Sequence, residues 1–141
     1  IPRFEPELFW SARPLDVSKS KQFRKGLDQL DEEGVVQVLR DLDAPTASPI
    51  LGAVGQMQFE VFAHRLEFEF GSKIDMSPTS WVVARRTDAE TAEGIRQLRG
   101  TRVLGSLDGT LFALFDSAGR LTRTVADNPD WVLERVVETA G

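Results

Sequence analysis

Two glycines and one histidine are the residues whose types and spacing most readily suggest chemistry. Gly52 and Gly55 lie three positions apart at the end of an apolar run, and the helix-like segment after them contains His64, the single histidine of the chain. A glycine turn between a strand and a helix often binds phosphate, because the first N–H groups of a helix lack partners within it. The stretch 51–71 therefore raises three hypotheses: a nucleotide site, a catalytic site or a structural turn.

The glycine motif lacks the residues that phosphate binding needs. A P-loop continues from its second glycine into Lys and then Ser or Thr, whereas Gly55 is followed by Gln56 and Met57. The dinucleotide-binding pattern G-x-G-x-x-G is also incomplete. We therefore favour a structural role for Gly52 and Gly55, in the tight turn that leads from a strand into a helix.

The chain offers few side chains for catalysis or metal binding. It has no cysteine, and one histidine leaves little for a metal site or a Ser-His-Asp triad. Glu60 stands four residues before His64, a helical spacing that suits an exposed ion pair. Asp41 and Asp43 could resemble an acid/base pair, but no nucleophile is evident near them in the sequence. The sequence predicts no catalytic, cofactor-binding or metal-binding residue in this chain.

Charge is unevenly distributed along the chain. The formal net charge is −5, yet residues 1–25 hold six Lys and Arg against three acids. An acidic chain is a poor general binder of nucleic acid, but a basic edge on it is either a solvated helix face or a local RNA contact. The three acids Asp31–Glu33 end a predicted helix, where the macrodipole disfavours them. They indicate a basic partner or a solvated helix end.

The first half of the chain has the element order of a known fold. Periodicity and turn residues predict six elements: a strand over 7–15, a helix over 18–33 closed by Gly34, strands over 35–43 and 49–54, a helix over 56–70 and a strand over 72–77. This β-α-β-β-α-β order is that of the ferredoxin-like plait, in which two helices cover one face of an antiparallel sheet. We therefore predict an α+β fold with a plait over residues ~7–77.

The second half repeats the order of elements without repeating the residues. The predicted elements are a strand over 81–86, a helix over 88–99, strands over 102–105 and 110–115, a helix over 118–128 and a strand or short helix over 131–138. We predict a second plait-like unit, with domains at 1–78 and 79–141 that can pack as one body. Trp10, Trp81 and Trp131 are expected to be core or interface anchors.

Several stretches resemble, in sequence and in order, the C-terminal region of the bacterial peptide chain release factor 3 family. They are "PRFEPELFWSARPLD", "SKQFRKGLDQLDEEGVVQVLRDLD", "LGAVGQMQFEVFAHRLEFEFG" and "SWVVA". The resemblance is dense over residues 1–85 and becomes thin beyond Arg86. It rests most clearly on "GAVGQMQF", the stretch that contains Gly52 and Gly55.

The resemblance implies a ribosome-associated translational GTPase of the elongation factor G class. In that family an N-terminal G domain binds GTP or GDP with Mg²⁺, a β-barrel domain follows, and the C-terminal region contacts the ribosome. The factor acts in the cytoplasm and promotes departure of class I release factors after peptide release. This chain carries no G-domain motif, so no nucleotide-binding residue is assigned. Because it opens with Ile1-Pro2, we expect a piece of a longer protein.

The resemblance also directs attention to the basic edge of the chain. The candidate ribosome-facing residues, called the basic patch below, are Arg13, Lys19, Lys21, Arg24 and Lys25. The implied partners are ribosomal RNA and proteins, the protein's own G and β-barrel domains and, functionally, class I release factors. No membrane partner is expected, since no apolar run approaches the ~20 residues of a membrane span. Two alternatives stay open: a domain of an elongation factor G-like GTPase, or a regulatory plait that binds a small ligand through its glycine loop.

Overall fold

The computed structural model describes residues 5–136. In the first half of that range the elements are β1 (Leu8–Pro14), a 3₁₀ turn (Val17–Lys19), α1 (Ser20–Glu32), β2 (Gln37–Leu39), β3 (Ile50–Ala53), α2 (Gln56–Phe70) and β4 (Ile74–Pro78). In the second half they are β5 (Val83–Thr87), α3 (Ala89–Ile95), β6 (Thr101–Gly105), β7 (Leu111–Phe115), α4 (Ala118–Asp127) and β8 (Glu134–Arg135).

The strands form two antiparallel sheets with the same topology. The first sheet has the order β2-β3-β1-β4 and the second has the order β6-β7-β5-β8. In each sheet the first strand of the unit lies between the third and the fourth, as the β-α-β-β-α-β plait requires. The α+β fold with two ferredoxin-like units, predicted from the element order, is confirmed.

The two plaits are stacked through their sheets, which gives four layers. Side chains alternate along a strand, so in β1 Phe9 faces one way while Leu8 and Trp10 face α1 and α2. Phe9 belongs to a buried cluster shared by both sheets, with Leu39, Ile50, Ala84, Leu104, Phe112 and Leu114. The outer face of the second sheet packs on α3 and α4. The core between the sheets holds the two units together, whereas the boundary at residues 78 and 79 stays a prediction.

Glycine ends the long helix α2. Gly71 adopts the left-handed conformation (φ 72°) that side chains with a Cβ rarely accept. Its N–H donates to the carbonyl of Glu67 at 3.1 Å, and the N–H of Ser72 donates to the carbonyl of Leu66 at 2.9 Å. This satisfies carbonyls that the helix end leaves open. Gly34 has the same backbone conformation (φ 80°) just beyond α1, as predicted.

Three elements are much shorter than their sequence pattern predicts. The strand expected over 35–43 is reduced to β2 because Arg40 leaves the first sheet and bridges Gly105 of the second, with N···O distances of 2.8 and 2.6 Å. The helix expected over 88–99 ends at Ile95, since Leu98 turns back to bond the Ile95 carbonyl three residues away. The closing element is β8, which pairs with β5. Residues 131–133 and 136 of its predicted range lie in neither a strand nor a helix, and 137–138 lie outside the described residues.

Candidate functional site

The turn between β3 and α2 is closed by a side chain of the helix itself. The amide oxygen of Gln58 accepts hydrogen bonds from the N–H groups of Val54 (2.7 Å) and Gly55 (3.0 Å). Its amide nitrogen donates to the carbonyl of Val35 at 3.2 Å. Two backbone donors of this turn, the N–H groups of Val54 and Gly55, are therefore already occupied. This is half of a capping box, in which the third helical residue satisfies the residues before the helix.

The two glycines of this turn have different surroundings. Gly52 lies within β3 and is buried, and a Cβ placed there would lie 3.0 Å from the Cβ of Pro6. Gly55 precedes α2 with an extended backbone (φ −144°) and has open space where a Cβ would be. Close packing thus accounts for Gly52. For Gly55 the structure shows no steric requirement for glycine.

The histidine lies on the solvent side of α2. His64 is exposed, and the centre of its ring lies 4.6 Å from the ring of Phe68. The ion pair suggested by its spacing from Glu60 is not formed within 4.0 Å. Within residues 5–136 no three His, Asp or Glu side chains gather closely enough to hold a metal ion. No helix in that part of the chain has the length and apolar character of a membrane span.

Two of the three acids at the end of α1, Asp31 and Glu33, are held by specific partners. Asp31 is buried, and its carboxylate accepts a hydrogen bond from the N–H of Val38 at 3.2 Å. Glu33 binds the guanidinium of Arg65 in α2 at 2.7 Å, and that guanidinium also binds Glu69. The hydrogen bond from Arg65 lowers the pKa of Glu33 and of Glu69. Two of these acids therefore have a structural use that neither sequence hypothesis included.

The residues of the basic patch are all exposed and lie on neighbouring elements. Lys19 ends the 3₁₀ turn, and Lys21, Arg24 and Lys25 lie in the first half of α1. Arg13 lies on β1 and pairs with Asp75 across the β1–β4 ladder, with an N···O distance of 3.1 Å. The four residues of the helical segment form no ion pair with any residue in the range 5–136. Their charge is therefore available to a partner.

The basic patch borders a cleft of about 720 Å³. Its walls come from the end of β1, the first half of α1 and the loop 45–49, and Arg13 and Arg24 lie on its lip. A third cation, Arg40, lines the cleft and pairs with Asp28 at 2.5 Å. The floor is apolar and includes Phe23 and Leu27, while the loop contributes hydroxyl groups. This volume is within the range of small-ligand sites, ~300–1,000 Å³.

The three tryptophans pack against the buried clusters of the core. Trp10 stacks on Phe59 of α2 with ring centres 5.0 Å apart. Trp81 packs against the cluster between the sheets, and Trp131 packs against the cluster beneath α3 and α4. A Cβ at Gly94 in α3 would lie 2.3 Å from the Trp131 ring, so this glycine makes room for the indole.

The fold and the surface define a class of protein: a double ferredoxin-like plait with a basic patch beside a cleft. Residues 1–125 match the family model described as "Class II release factor RF3, C-terminal domain". The chain therefore belongs to the peptide chain release factor 3 family, as the resemblance in the first half indicated.

Curated relatives agree with this membership. The peptide chain release factor 3 of Symbiobacterium thermophilum is 37% identical over 140 residues, which cover 98% of this chain and 26% of the relative. The factor of Synechococcus elongatus is 37% identical over 142 residues, 99% of this chain and 26% of the relative. The factor of a Synechocystis species is 48% identical over 85 residues, 60% of this chain and 16% of the relative. The chain thus spans about a quarter of the first two relatives.

Proposed function

We propose that the chain is a non-catalytic ribosome-binding and coupling domain of a release factor 3 that works in the cytoplasm. In this proposal the full-length protein is a GTPase that promotes release of class I release factors from the ribosome after termination. The observation that carries it is the family match over residues 1–125, joined to a basic patch on an acidic chain in which four of the five cations form no ion pair with a residue of the range 5–136. An anionic surface such as ribosomal RNA fits that patch.

Nucleotide binding is assigned to the rest of the polypeptide. GTP, GDP and Mg²⁺ would be held by the G domain, since this chain carries no G-domain motif and Gln58 occupies the N–H groups of Val54 and Gly55. The role left for this chain is mechanical. Two sheets joined by one core form a four-layer body, which can pass a change at a domain contact to the ribosome-facing surface. Its partners inside the protein would be the G domain and the β-barrel domain.

Charge reversal in the basic patch tests the ribosome contact. We expect Lys21→Glu with Arg24→Glu and Lys25→Glu, introduced into the full-length factor, to weaken pelleting with ribosomes at low salt. If the three residues contact phosphates, the slope of log K for ribosome binding against log salt concentration should become shallower by up to about 3. The matched control reverses three exposed cations on the α3–α4 side of the chain: Arg96, Arg99 and Arg123. Circular dichroism checks that both variants are folded.

If the patch variant and the wild-type factor bind ribosomes equally well, the basic patch does not contact the ribosome. If the wild-type factor itself fails to bind ribosomes, the proposed function is wrong.

The cleft favours one alternative, a regulatory plait that binds a small anionic ligand. Arg24 has no ion pair among the described residues and stands beside an apolar floor. Thermal-shift screening with amino acids and nucleotides separates the two proposals. A reproducible rise in melting temperature that Arg24→Ala abolishes would favour the small ligand. The other alternative, an elongation factor G-like protein, is not supported by the family match.

A further inference from the structure

Helix α2 is apolar on two opposite faces. An α-helix turns by about 100° per residue, so positions 59, 62 and 66 lie on one side and positions 57, 61, 64 and 68 lie on the other. The first group is buried in the core: Phe59, Phe62 and Leu66. The second group, called the outer stripe below, consists of Met57, Val61, His64 and Phe68.

The outer stripe is open to solvent in this structure. Met57 and Phe68 are each 69% exposed, and Val61 is 41% exposed. A surface helix normally carries polar residues on this side, and a helix that is apolar all round is normally buried. The neighbouring helix α1 follows the usual rule, with exposed Lys21, Lys25 and Gln29. The stripe is therefore specific to α2, and over about 16 Å it has the apolar character of an interface.

The rim of the outer stripe is acidic. On one side stand Glu60 and Glu67, and neither carboxylate pairs with a residue of the range 5–136. On the other side Arg65 is bound by the two carboxylates Glu33 and Glu69. Two copies of this stripe would bring like charges together, which opposes self-association. A partner segment with apolar side chains flanked by lysines or arginines complements both the apolar stripe and its acidic rim.

We infer that the outer stripe of α2 docks an apolar, Lys/Arg-flanked segment of a basic ribosomal protein. This inference rests on the proposed function, which supplies the ribosome as the assembly. Phe68 and Met57 are the anchors, because they are the largest and most exposed apolar side chains of the stripe and a few large side chains carry most binding energy. The basic patch on α1 and β1 suits RNA, whereas the acid-rimmed stripe on α2 suits protein, so the domain presents two chemically distinct surfaces.

Photo-crosslinking identifies what covers the stripe. The full-length factor carries p-benzoylphenylalanine at position 68 and is irradiated with purified 70S ribosomes. We expect a crosslink to a basic ribosomal protein. The control position is 125, because Val125 is 45% exposed on α4 at the opposite face of the four layers, and it should not give that product. A crosslink from position 68 to ribosomal RNA, to another part of the factor or to a second copy would overturn the inference.

Substitutions measure the contribution of the stripe. Met57→Ser with Phe68→Ser in the full-length factor should weaken ribosome pelleting at least about tenfold, while Val125→Ser leaves it unchanged. Glu60→Lys with Glu67→Lys should weaken pelleting too, and Glu90→Lys on α3 is its control. Unchanged pelleting by both stripe variants overturns the inference while the proposed function stands. If the wild-type factor does not pellet, both are overturned.

Discussion

The side-chain oxygen of Gln58 lies 2.7 Å from the backbone nitrogen of Val54 and accepts its hydrogen bond, so that α2 closes the turn before it. Replacing Gln58 with Ala removes this bond, the bond from Gly55 and the bond to the Val35 carbonyl. We expect the free energy of unfolding to fall by about 1–3 kcal/mol, since backbone groups at a half-buried turn lose their partners. Chemical denaturation measures this loss.

Gln56→Ala is the control for this prediction. Gln56 is exposed at the first position of the same helix, and its side chain makes no hydrogen bond with any residue of the range 5–136. Its replacement should change the unfolding free energy by less than about 0.5 kcal/mol. If both variants show the same loss of unfolding free energy, the hydrogen bonds of Gln58 do not stabilise the fold.

The contact between α1 and α2 depends on a glycine. A Cβ at Gly26 would lie 2.1 Å from Cδ2 of Leu66 and 3.2 Å from the ring of Phe70. Because Leu66 is fully buried, moving its side chain would disturb the close-packed core. Gly26→Ala should therefore destabilise the chain by about 1–3 kcal/mol, despite the better helix propensity of alanine.

The same substitution should have the opposite sign in α4. Gly119 lies in the first turn of that helix, and a Cβ there would have no atom within 4 Å. We expect Gly119→Ala to stabilise the chain by up to about 1 kcal/mol through helix propensity and the lower entropy of the unfolded chain. Thermal unfolding of the two alanine variants measures the difference. If Gly26→Ala also raises the melting temperature, the helices can separate without cost.

The core between the sheets should make the two plaits unfold together. Leu104 is 1% exposed and lies in the cluster shared by both sheets. Leu104→Ala should cost about 2–5 kcal/mol, whereas Leu107→Ala, in the exposed turn after β6, should cost less than about 0.5 kcal/mol. The signals of Trp10 in the first plait and Trp131 in the second should show one common transition. Two separate transitions would mean that each plait is stable alone.

The sequence predicted the elements of each plait because their signals are local. The bounds of α2 agree with the prediction, since apolar positions of helical period stand between Gly55 and Gly71. The stacking of the sheets is not local. Phe112 and Leu114 face the other sheet while Ala113 and Phe115 face the helices, and the apolar run 111–115 does not say what covers either side.

The basic patch could be predicted from the sequence, whereas the cleft beside it could not. Helical period and charge place Lys21, Arg24 and Lys25 on one exposed segment, which the structure shows as part of α1. The sequence did not predict the cleft beside them. Arg40 and the loop 45–49 are distant from the start of α1 in the sequence, and the chain brings them next to it only as it returns along β2 and β3. The closure of the turn could have been found, because Gln three residues after Gly55 fits half of a capping-box pattern.

The link between the ends of α1 and α2 should depend on pH. The hydrogen bonds from Arg65 lower the pKa values of Glu33 and Glu69 below their usual 4.5. A carboxyl group whose pKa is lower in the folded state stabilises it above its unfolded pKa, and this contribution is lost as pH falls through the folded value. Arg65→Met should therefore reduce stability at pH 7, and the difference from wild type should shrink below about pH 4.5.

Denaturation curves at several pH values measure that difference. Arg123→Met is the control, because Arg123 is exposed on α4 and forms no ion pair with a residue of the range 5–136. Its difference from wild type should stay constant with pH. Salt should reduce the effect of Arg65→Met at pH 7, since Glu33 and Glu69 remain open to solvent. A difference for Arg65→Met that is the same at pH 7 and pH 3 would show that the ion pairs between the helices do not stabilise the fold.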